Sequence, residues 1–181
     1  MHPRKLSGFL LITLAGLAVL FGAARPSQAA EAVFPAIGPA GFTSRVSVDS
    51  NGVEADEGSS DPAISADGRY VVFATDAVNL VPDDTNAASD IFVYDRHTGS
   101  ITRVSVASDG TQANGDSGNP TISGNGQFVA FDSNASNLVA NDTNGQTDVF
   151  VHNLQTGETT RVSVASGGVQ ATGGSSLQPS L

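Results

Sequence analysis

The sequence contains no cysteine and no tryptophan, and it has only one methionine and two tyrosines. Without cysteine the chain can form neither disulfide bonds nor thiolate metal sites, and thiol catalysis is excluded. The folded state must therefore be held together by packing and hydrogen bonding alone.

Basic residues are scarce as well. After residue 29 the chain has five of them, all arginine, against 18 aspartates and glutamates, so its net charge is about −13. A surface of this sign repels phosphate backbones and anionic lipid headgroups. We therefore expect binding to neither nucleic acid nor a membrane surface, whereas the charge is compatible with bound cations.

Only one long hydrophobic run is present, and it lies near the N-terminus. A short basic segment precedes an apolar stretch over residues 9–24, which is shorter than the roughly 20 residues of a membrane-spanning helix. The small residues Ser27 and Ala29 then fit positions −3 and −1 of a signal-peptidase site. The pattern predicts a cleaved signal peptide over residues 1–29, a linker over 30–42, and export to the periplasm or the extracellular space.

A 58-residue repeat organises the rest of the chain. The tetrapeptide Arg-Val-Ser-Val begins at residues 45, 103 and 161. When residues 45–102 are laid over 103–160 without a gap, 27 of the 58 positions are identical. Such a period indicates a repeat architecture, in which each unit buries its apolar faces against its neighbours.

Each unit is predicted to contain four short strands. In the first unit they are expected at 62–65, 69–73 and 91–94, with the fourth containing the tetrapeptide at 103–106. The dipeptide Asp67-Gly68 predicts a two-residue hairpin turn between the first two strands. A long polar loop precedes the third strand, and the second unit repeats the pattern 58 residues later.

The distribution of apolar residues indicates how these strands are buried. The second and third strands are apolar on both faces, which is typical of a sheet that lies between two others. The fourth alternates valine with arginine and serine, as in an outer edge strand with one wet face. The sequence therefore predicts an all-β fold made of four-stranded antiparallel β-propeller blades.

Several motifs of the repeat carry a family resemblance. In the first unit they are Pro62-x-x-Ser65-x-Asp67-Gly68-x-x-Val71-x-Phe73, Asp90-Ile91-Phe92-Val93-x-Asp95 and Thr98-Gly99. This pattern resembles the TolB-like β-propeller repeat of bacterial exported proteins and covers residues 43–181. The resemblance implies a propeller fold, but it implies no particular activity, because such repeats occur in many contexts.

The repeats amount to about two and a fraction blades, which is too few to close a ring of four to eight. The first unit is preceded only by a fourth-strand sequence, and the third reaches only its first strand. The sequence leaves two explanations open. The chain is a fragment of a longer propeller, or its exposed blade faces associate with further copies of itself.

Both long loops carry acidic and amide side chains with the same spacing. Oxygen-bearing residues stand at relative positions 1, 3 and 7, namely Asp84, Asn86 and Asp90 in the first loop and Asp142, Asn144 and Asp148 in the second. Calcium takes six to eight hard oxygen ligands from flexible loops of this composition, which makes these residues candidate calcium ligands. The same residues also fit Asx-turns with an aspartate at the start of the third strand, and the sequence does not decide between the two.

No catalytic constellation is evident. Residues 115–118, Gly-Asp-Ser-Gly, resemble a serine-protease nucleophile segment but fall in a variable glycine- and serine-rich loop. His97 is interpreted as a turn residue and His152 as a strand residue, so no base is assigned to Ser117.

The predicted function is a non-enzymatic binding or scaffolding module with a protein or glycan ligand. The alternative is a piece of the gating propeller of a larger exported hydrolase.

Overall fold

The computed structural model describes residues 43–181. The predicted signal peptide and linker, residues 1–29 and 30–42, lie outside this range. The described residues contain eight strands and no helix, and hence no helix that could cross a membrane. The strands are β1 (Ser59–Ile64), β2 (Tyr70–Thr75), β3 (Asp90–Asp95), β4 (Ser100–Arg103), β5 (Ser117–Ile122), β6 (Phe128–Ser133), β7 (Asp148–Asn153) and β8 (Thr159–Arg161).

The strands form two four-stranded antiparallel sheets in which chain order is also spatial order. Blade 1 has the order β1-β2-β3-β4 and blade 2 the order β5-β6-β7-β8. Their registers agree: Phe73 pairs with Phe92 in blade 1, and Phe131 pairs with Phe150 in blade 2. Two successive up-and-down sheets packed against each other are β-propeller blades, which confirms the predicted fold class.

β2, β3 and β6 are buried on both faces, as the sequence predicted, whereas β7 alternates buried with half-buried residues. Phe92 and Phe150 are fully buried, and each stacks on the phenylalanine of the neighbouring strand at a centroid distance of about 6 Å. One core cluster joins the two blades through Val72 and Val93 of blade 1 and Val129 of blade 2. β2, β3 and β6 have no wet face, and their apolar runs reflect that burial.

β5 makes most of the contact between the blades, because it lies across β1, β2 and β3. The hairpin turns meet as well, since Ala66 N donates to Gly124 O over 3.0 Å. Gly126 lies against the ring of Tyr70, so closely that a Cβ atom at this position would overlap the ring. Gly126 also has a φ of +68°, so both the turn and the blade contact require glycine.

Two local predictions were wrong. The turn between β1 and β2 is not a two-residue hairpin turn: Gly68 N bonds to Ser65 O and Ser65 N to Tyr70 O, so four residues form the loop. A type I′ turn would need a positive φ at both Asp67 and Gly68, and only Gly68 has one. β1 also starts at Ser59, three residues before the predicted first strand.

The third correction concerns the repeated tetrapeptide, which does not form a wet edge strand. β4 ends at Arg103, and Val104 and Ser105 are fully buried because the chain there leaves the sheet and passes between the blades. We call residues 46–58, 104–116 and 162–174 the connecting segments. Each contains an isolated bridge at the same repeat position: Val48–Glu54, Val106–Gln112 and Val164–Gln170.

Candidate functional site

The residues predicted as calcium ligands do come together in the structure, but around an arginine. In blade 1, Nη1 of Arg103 lies 3.1 Å from Oδ1 of Asp84 and 3.4 Å from Oδ2 of Asp90. Asp90 is fully buried, and the side chain of Asp84 is 2% exposed. The guanidinium therefore supplies the positive charge that two buried carboxylates need.

The remaining polar atoms of Asp90 are also engaged. Ser105 Oγ donates to Asp90 Oδ1 over 2.5 Å, and Gln112 Nε2 bridges Asp84 Oδ1 at 2.7 Å and Asp90 Oδ2 at 3.3 Å. Ser105 and Gln112 belong to a connecting segment, whereas the aspartates belong to the loop before β3 and to β3 itself. The site thus fixes a connecting segment to its blade.

Asn86 contributes a donor rather than an oxygen to this site. Its Nδ2 donates to Asp90 Oδ2 and to Ala113 O, both at 3.0 Å, while its Oδ1 accepts from Ala88 N. A calcium ligand would have to present the amide oxygen instead. The Asx-turn that the sequence left open is thus present at Asn86.

Blade 2 repeats the arrangement. Nη1 of Arg161 lies 2.9 Å from Asp142 and 3.3 Å from Asp148, and Ser163 Oγ donates to Asp148 Oδ1 over 2.6 Å. Asn144 Nδ2 donates to Asp148 Oδ2 at 2.9 Å. Within residues 43–181 no group of three or more acidic or histidine side chains is arranged to hold a metal ion. Calcium binding, which the spacing of these loops predicted, would have to compete with the arginine that already lies between the carboxylates.

Burial dominates the electrostatics of these sites. Desolvation raises the pKa of Asp90 and, in blade 2, of Asp142, and the nearby guanidinium only partly offsets it. The Nε atoms of Arg103 and Arg161 are buried and have no acceptor among the described residues. Such groups cost stability when unmatched, so each buried Nε offsets part of the stabilisation that the ion pairs of its guanidinium provide.

Sequence reasoning missed Arg103, Ser105 and Gln112. The signal was nevertheless present, because the arginine and the serine belong to the tetrapeptide that occurs three times at the 58-residue period. Such strict repetition of polar residues beside acidic loops indicates a shared ion-pair network. The tetrapeptide was instead interpreted as an edge strand.

Two open pockets occupy equivalent positions on the two blades. In blade 1 a pocket of about 510 Å³ is lined by Asp49, Ser50, Asn51, Asn79, Leu80, Val81 and Pro82. In blade 2 a pocket of about 420 Å³ is lined by Ala107, Ser108, Asp109, Asn137, Leu138, Val139, Ala140 and Thr159. The first seven residues of the second set lie 58 positions after those of the first. Each pocket lies between the turn of a connecting segment and the loop that follows β2 or β6.

Each pocket combines an aliphatic floor with a polar rim. In blade 2, Leu138 is buried beneath the half-buried Val139, and Asp109 stands on the exposed rim. Hydrogen bonds that Thr111 donates to Asp109 lower the pKa of this carboxyl. In blade 1 the rim charge comes from Asp49, whose pKa is lowered mainly by its hydrogen bond from Val53 N.

The serine of the Gly-Asp-Ser-Gly segment is structural. Ser117 is the first residue of β5 rather than part of a flexible loop; it is 3% exposed, and its Oγ donates to Ser133 Oγ over 3.0 Å. Ser133 Oγ in turn donates to Asp116 O.

His152 lies in β7 with its Nδ1 2.8 Å from Thr159 Oγ1, and His97 lies in the turn after β3. Both histidines thus occupy the predicted kinds of position.

Comparison with known proteins found no matching family model and no matching curated protein. Solved structures with similar folds include the tricorn protease (17% identity, TM-score 0.36) and the β-propeller domain of the Trilobed protease from Pyrococcus furiosus (16%, 0.35). TolB from Acinetobacter baumannii is a third (14%, 0.25). The matches cover 59%, 59% and 60% of this chain and 9%, 27% and 32% of the three solved chains.

The chain therefore spans a third or less of the length of these solved structures. At such identities and TM-scores the likenesses concern the fold alone and carry no information on activity, substrate or partner. The propeller fold that the resemblance to the TolB-like repeat implied is confirmed by the strand order and the packing of the two blades in this chain itself.

Proposed function

We propose that this chain is an exported, non-enzymatic binding or scaffolding module that holds segments of a partner protein in its two equivalent blade pockets. The observation that carries the proposal is the repetition of one pocket at a spacing of 58 residues. Pockets built from the repeat itself recur with every blade. Such a surface suits an extended ligand that is bound at several points.

The lining of the pockets favours a protein segment over a glycan. Leu80 and Leu138 form aliphatic floors, and no aromatic ring lines either pocket. Each rim carries one carboxylate, Asp49 or Asp109, on a chain with a net charge of −10. A segment with an aliphatic side chain beside a basic one fits this combination of shape and charge.

The absence of a catalytic role rests on how the reactive side chains are used. Among the described residues, Ser117 is hydrogen-bonded to another serine, and the buried carboxylates of the two acidic loops are paired with Arg103 or Arg161. These groups serve the fold. Catalysis would need a nucleophile with a base in reach, and Ser117 is buried.

Calorimetric titration with an Arg-Leu-Arg tripeptide amide tests the proposal. Two weak equivalent sites are expected in the wild-type chain. Ala140→Trp and Pro82→Trp, at exposed lining positions, should each leave one site, and the double variant none. Ser136→Trp, which is exposed but outside the pocket lining, is the matched control and should keep both.

Two outcomes contradict the proposal. Binding of a cello-oligosaccharide but not of the peptide would show that the ligand class is wrong. Peptide binding that is insensitive to both tryptophan variants would show that the pockets are not the site.

Export has a separate test. Ser27 and Ala29 predict cleavage between Ala29 and Ala30, so N-terminal sequencing of the protein recovered outside the cytoplasm should begin at Ala30. Recovered protein that begins at Met1 would contradict the assignment. The binding proposal does not depend on this result.

A further inference from the structure

Four Asn-Gly pairs occur in the loops and turns of the chain, and they begin at residues 51, 114, 125 and 144. An asparagine before glycine is prone to deamidation, because glycine has no side chain to block the approach of its backbone nitrogen to the asparagine Cγ atom. Whether a given pair reacts depends on how firmly the fold holds the asparagine amide and the glycine. The structure sets one pair apart from the other three.

The asparagine side chains at 114 and 125 are fixed by hydrogen bonds. Asn114 Oδ1 accepts from Ser136 N over 2.9 Å, and its Nδ2 donates to Ser136 Oγ over 3.1 Å. Asn125 Oδ1 accepts from Ser123 Oγ over 2.7 Å and from Gln127 N over 3.1 Å. Each of these side chains can rotate only after two hydrogen bonds break.

The pair at 144 is held through both ends of the asparagine amide. Asn144 Nδ2 donates to Asp148 Oδ2 over 2.9 Å, and its Oδ1 accepts from Gln146 N over 3.0 Å. The glycines of the other two fixed pairs are confined as well, since a Cβ atom on Gly115 or Gly126 would overlap its neighbours. These three pairs are therefore protected by the fold.

Asn51 is held much more loosely. Within residues 43–181 its Oδ1 accepts no hydrogen bond, and its Nδ2 makes one, to Asp49 Oδ2 over 3.2 Å. Asn51 and Gly52 are both exposed, and apart from adjacent residues no atom lies within 4 Å of where a Cβ atom on Gly52 would be. The N–H of Gly52 donates to Asp49 O over 3.0 Å, and local opening of this exposed turn releases it.

The exposure of Asn51 is a property of the turn. Its repeat equivalent, Asp109, lies in the segment that joins the two blades and is exposed too. The two turns share their backbone, since Gly52 has a φ of 84° and Gly110 a φ of 86°, and each donates its N–H to the carbonyl three residues earlier. The repeat thus already accommodates an aspartate here, so a carboxylate at position 51 is compatible with the fold.

We propose that Asn51 is a site of spontaneous deamidation, at which the chain gains a carboxylate on the rim of the blade 1 pocket. The backbone nitrogen of Gly52 attacks Cγ of Asn51, the side-chain nitrogen leaves as ammonia, and a succinimide ring forms. Water then opens the ring at either carbonyl, which gives aspartate or isoaspartate. The net reaction consumes water, releases ammonia and changes no oxidation state.

The new carboxylate changes the rim of the pocket, which Asn51 lines beside Asp49. In the unmodified chain Asp49 Oδ1 accepts the N–H of Val53 over 2.7 Å. In blade 2 the equivalent N–H, that of Thr111, is bound by Asp109 Oδ1 over 2.9 Å. An aspartate at position 51 can bind the Val53 N–H in the same way and repels Asp49. The rim then carries two carboxylates instead of one.

Peptide mapping by mass spectrometry of the incubated full chain tests the site. In the folded chain, conversion at Asn51 should be about five- to thirtyfold faster than at each other pair, the factor that their additional hydrogen bonds correspond to. In concentrated urea the four pairs should react at similar rates, because no fold protects them. Asn51→Gln is the control and should show no conversion at this position on the same timescale, because the longer side chain does not form the five-membered ring. Another pair that reacts as fast as Asn51 in the folded chain overturns the proposal.

Calorimetric titration with the Arg-Leu-Arg tripeptide amide measures the effect on the pocket, and this part rests on the proposed function. In an Ala140→Trp background only the blade 1 pocket should bind. There Asn51→Asp should bind the peptide about two- to fivefold more tightly than Asn51→Gln, as expected of one further exposed charge. Equal affinities would overturn the effect on the rim. A background variant that binds no peptide would contradict the proposed function alone, because the mapping of deamidation needs no ligand.

Discussion

The hydroxyl of Ser105 donates to Oδ1 of Asp90 over 2.5 Å, and both residues are fully buried. This bond joins the segment that passes between the blades to the first residue of β3. Blade 2 repeats it between Ser163 and Asp148. The bond explains why a serine interrupts two valines in the repeated tetrapeptide.

Removal of this hydroxyl should destabilise the fold. Ser105→Ala leaves a buried carboxylate oxygen without its nearest donor, and a loss of about 1–3 kcal/mol in the free energy of unfolding is expected. Ser47→Ala is the matched control, because residue 32 at the repeat position of Asp90 is an alanine. The control should change stability by less than about 0.5 kcal/mol. Equal losses in urea denaturation of the two variants would contradict this account.

Removal of the Arg103 guanidinium should lower the free energy of unfolding further than removal of the Ser105 hydroxyl. Arg103→Met leaves Asp84 and Asp90 buried without a counter-charge, and a loss of about 3–5 kcal/mol is expected. Arg45→Met removes an exposed pair with Glu54 and should cost at most about 1 kcal/mol. The triple variant with Asp84→Asn and Asp90→Asn should recover part of the loss. No recovery would show that Arg103 acts through packing rather than charge.

Measuring the melting temperature with added calcium distinguishes between two explanations for the acidic loops. If the loops bound calcium, the melting temperature would rise with calcium but not with magnesium, and Asp148→Ala would abolish the share of the second loop. Because Arg161 already lies between Asp142 and Asp148, we expect no calcium-dependent shift in the wild-type chain. A selective rise measured by calorimetry would show that the cation displaces the guanidinium.

The stability of blade 2 should depend on pH through His152. Burial lowers the pKa of this imidazole below its ordinary value of 6.5, so the unfolded chain takes up a proton that the folded chain resists. The contribution of His152 to the free energy of unfolding is therefore fully present above pH 6.5 and is lost as the pH drops below that value. His152→Asn should flatten this dependence between pH 5 and pH 8 relative to the wild-type chain, because an amide can donate to Thr159 without titrating.

Urea denaturation of the wild-type chain and of His152→Asn at each pH gives this comparison. If the profile of His152→Asn equals that of the wild-type chain, the imidazole is not the group that titrates.

Much of the fold could be predicted because the repeat presents it twice. The apolar runs around Phe73 and Phe92 indicated strands buried on both faces, and the 58-residue period indicated stacked blades. The errors occurred where a local pattern has two outcomes. Asp67-Gly68 fits both a two-residue turn and the middle of a four-residue loop, and the φ of Asp67 distinguishes them.

The acidic loops show the same limit for a site. Spacing placed Asp84, Asn86 and Asp90 together correctly, but it could not supply their partner. Arg103 lies 13 residues after Asp90 and reaches it only because β4 pairs with β3. An arginine side chain and a bound calcium ion can both neutralise these carboxylates. The pattern of carboxylates in the sequence therefore does not distinguish between them.

The sequence by itself determined the repeat, the strand content and the burial of β2 and β3, because these follow from periodicity and apolar patterning. The tertiary structure alone decided which repeated residues remain exposed. Val104 and Val162 are the same residue in the same motif, yet one is enclosed between blades and the other lies open. A residue is buried or exposed according to the residues that pack against it, and which residues pack against a blade is decided by the tertiary structure.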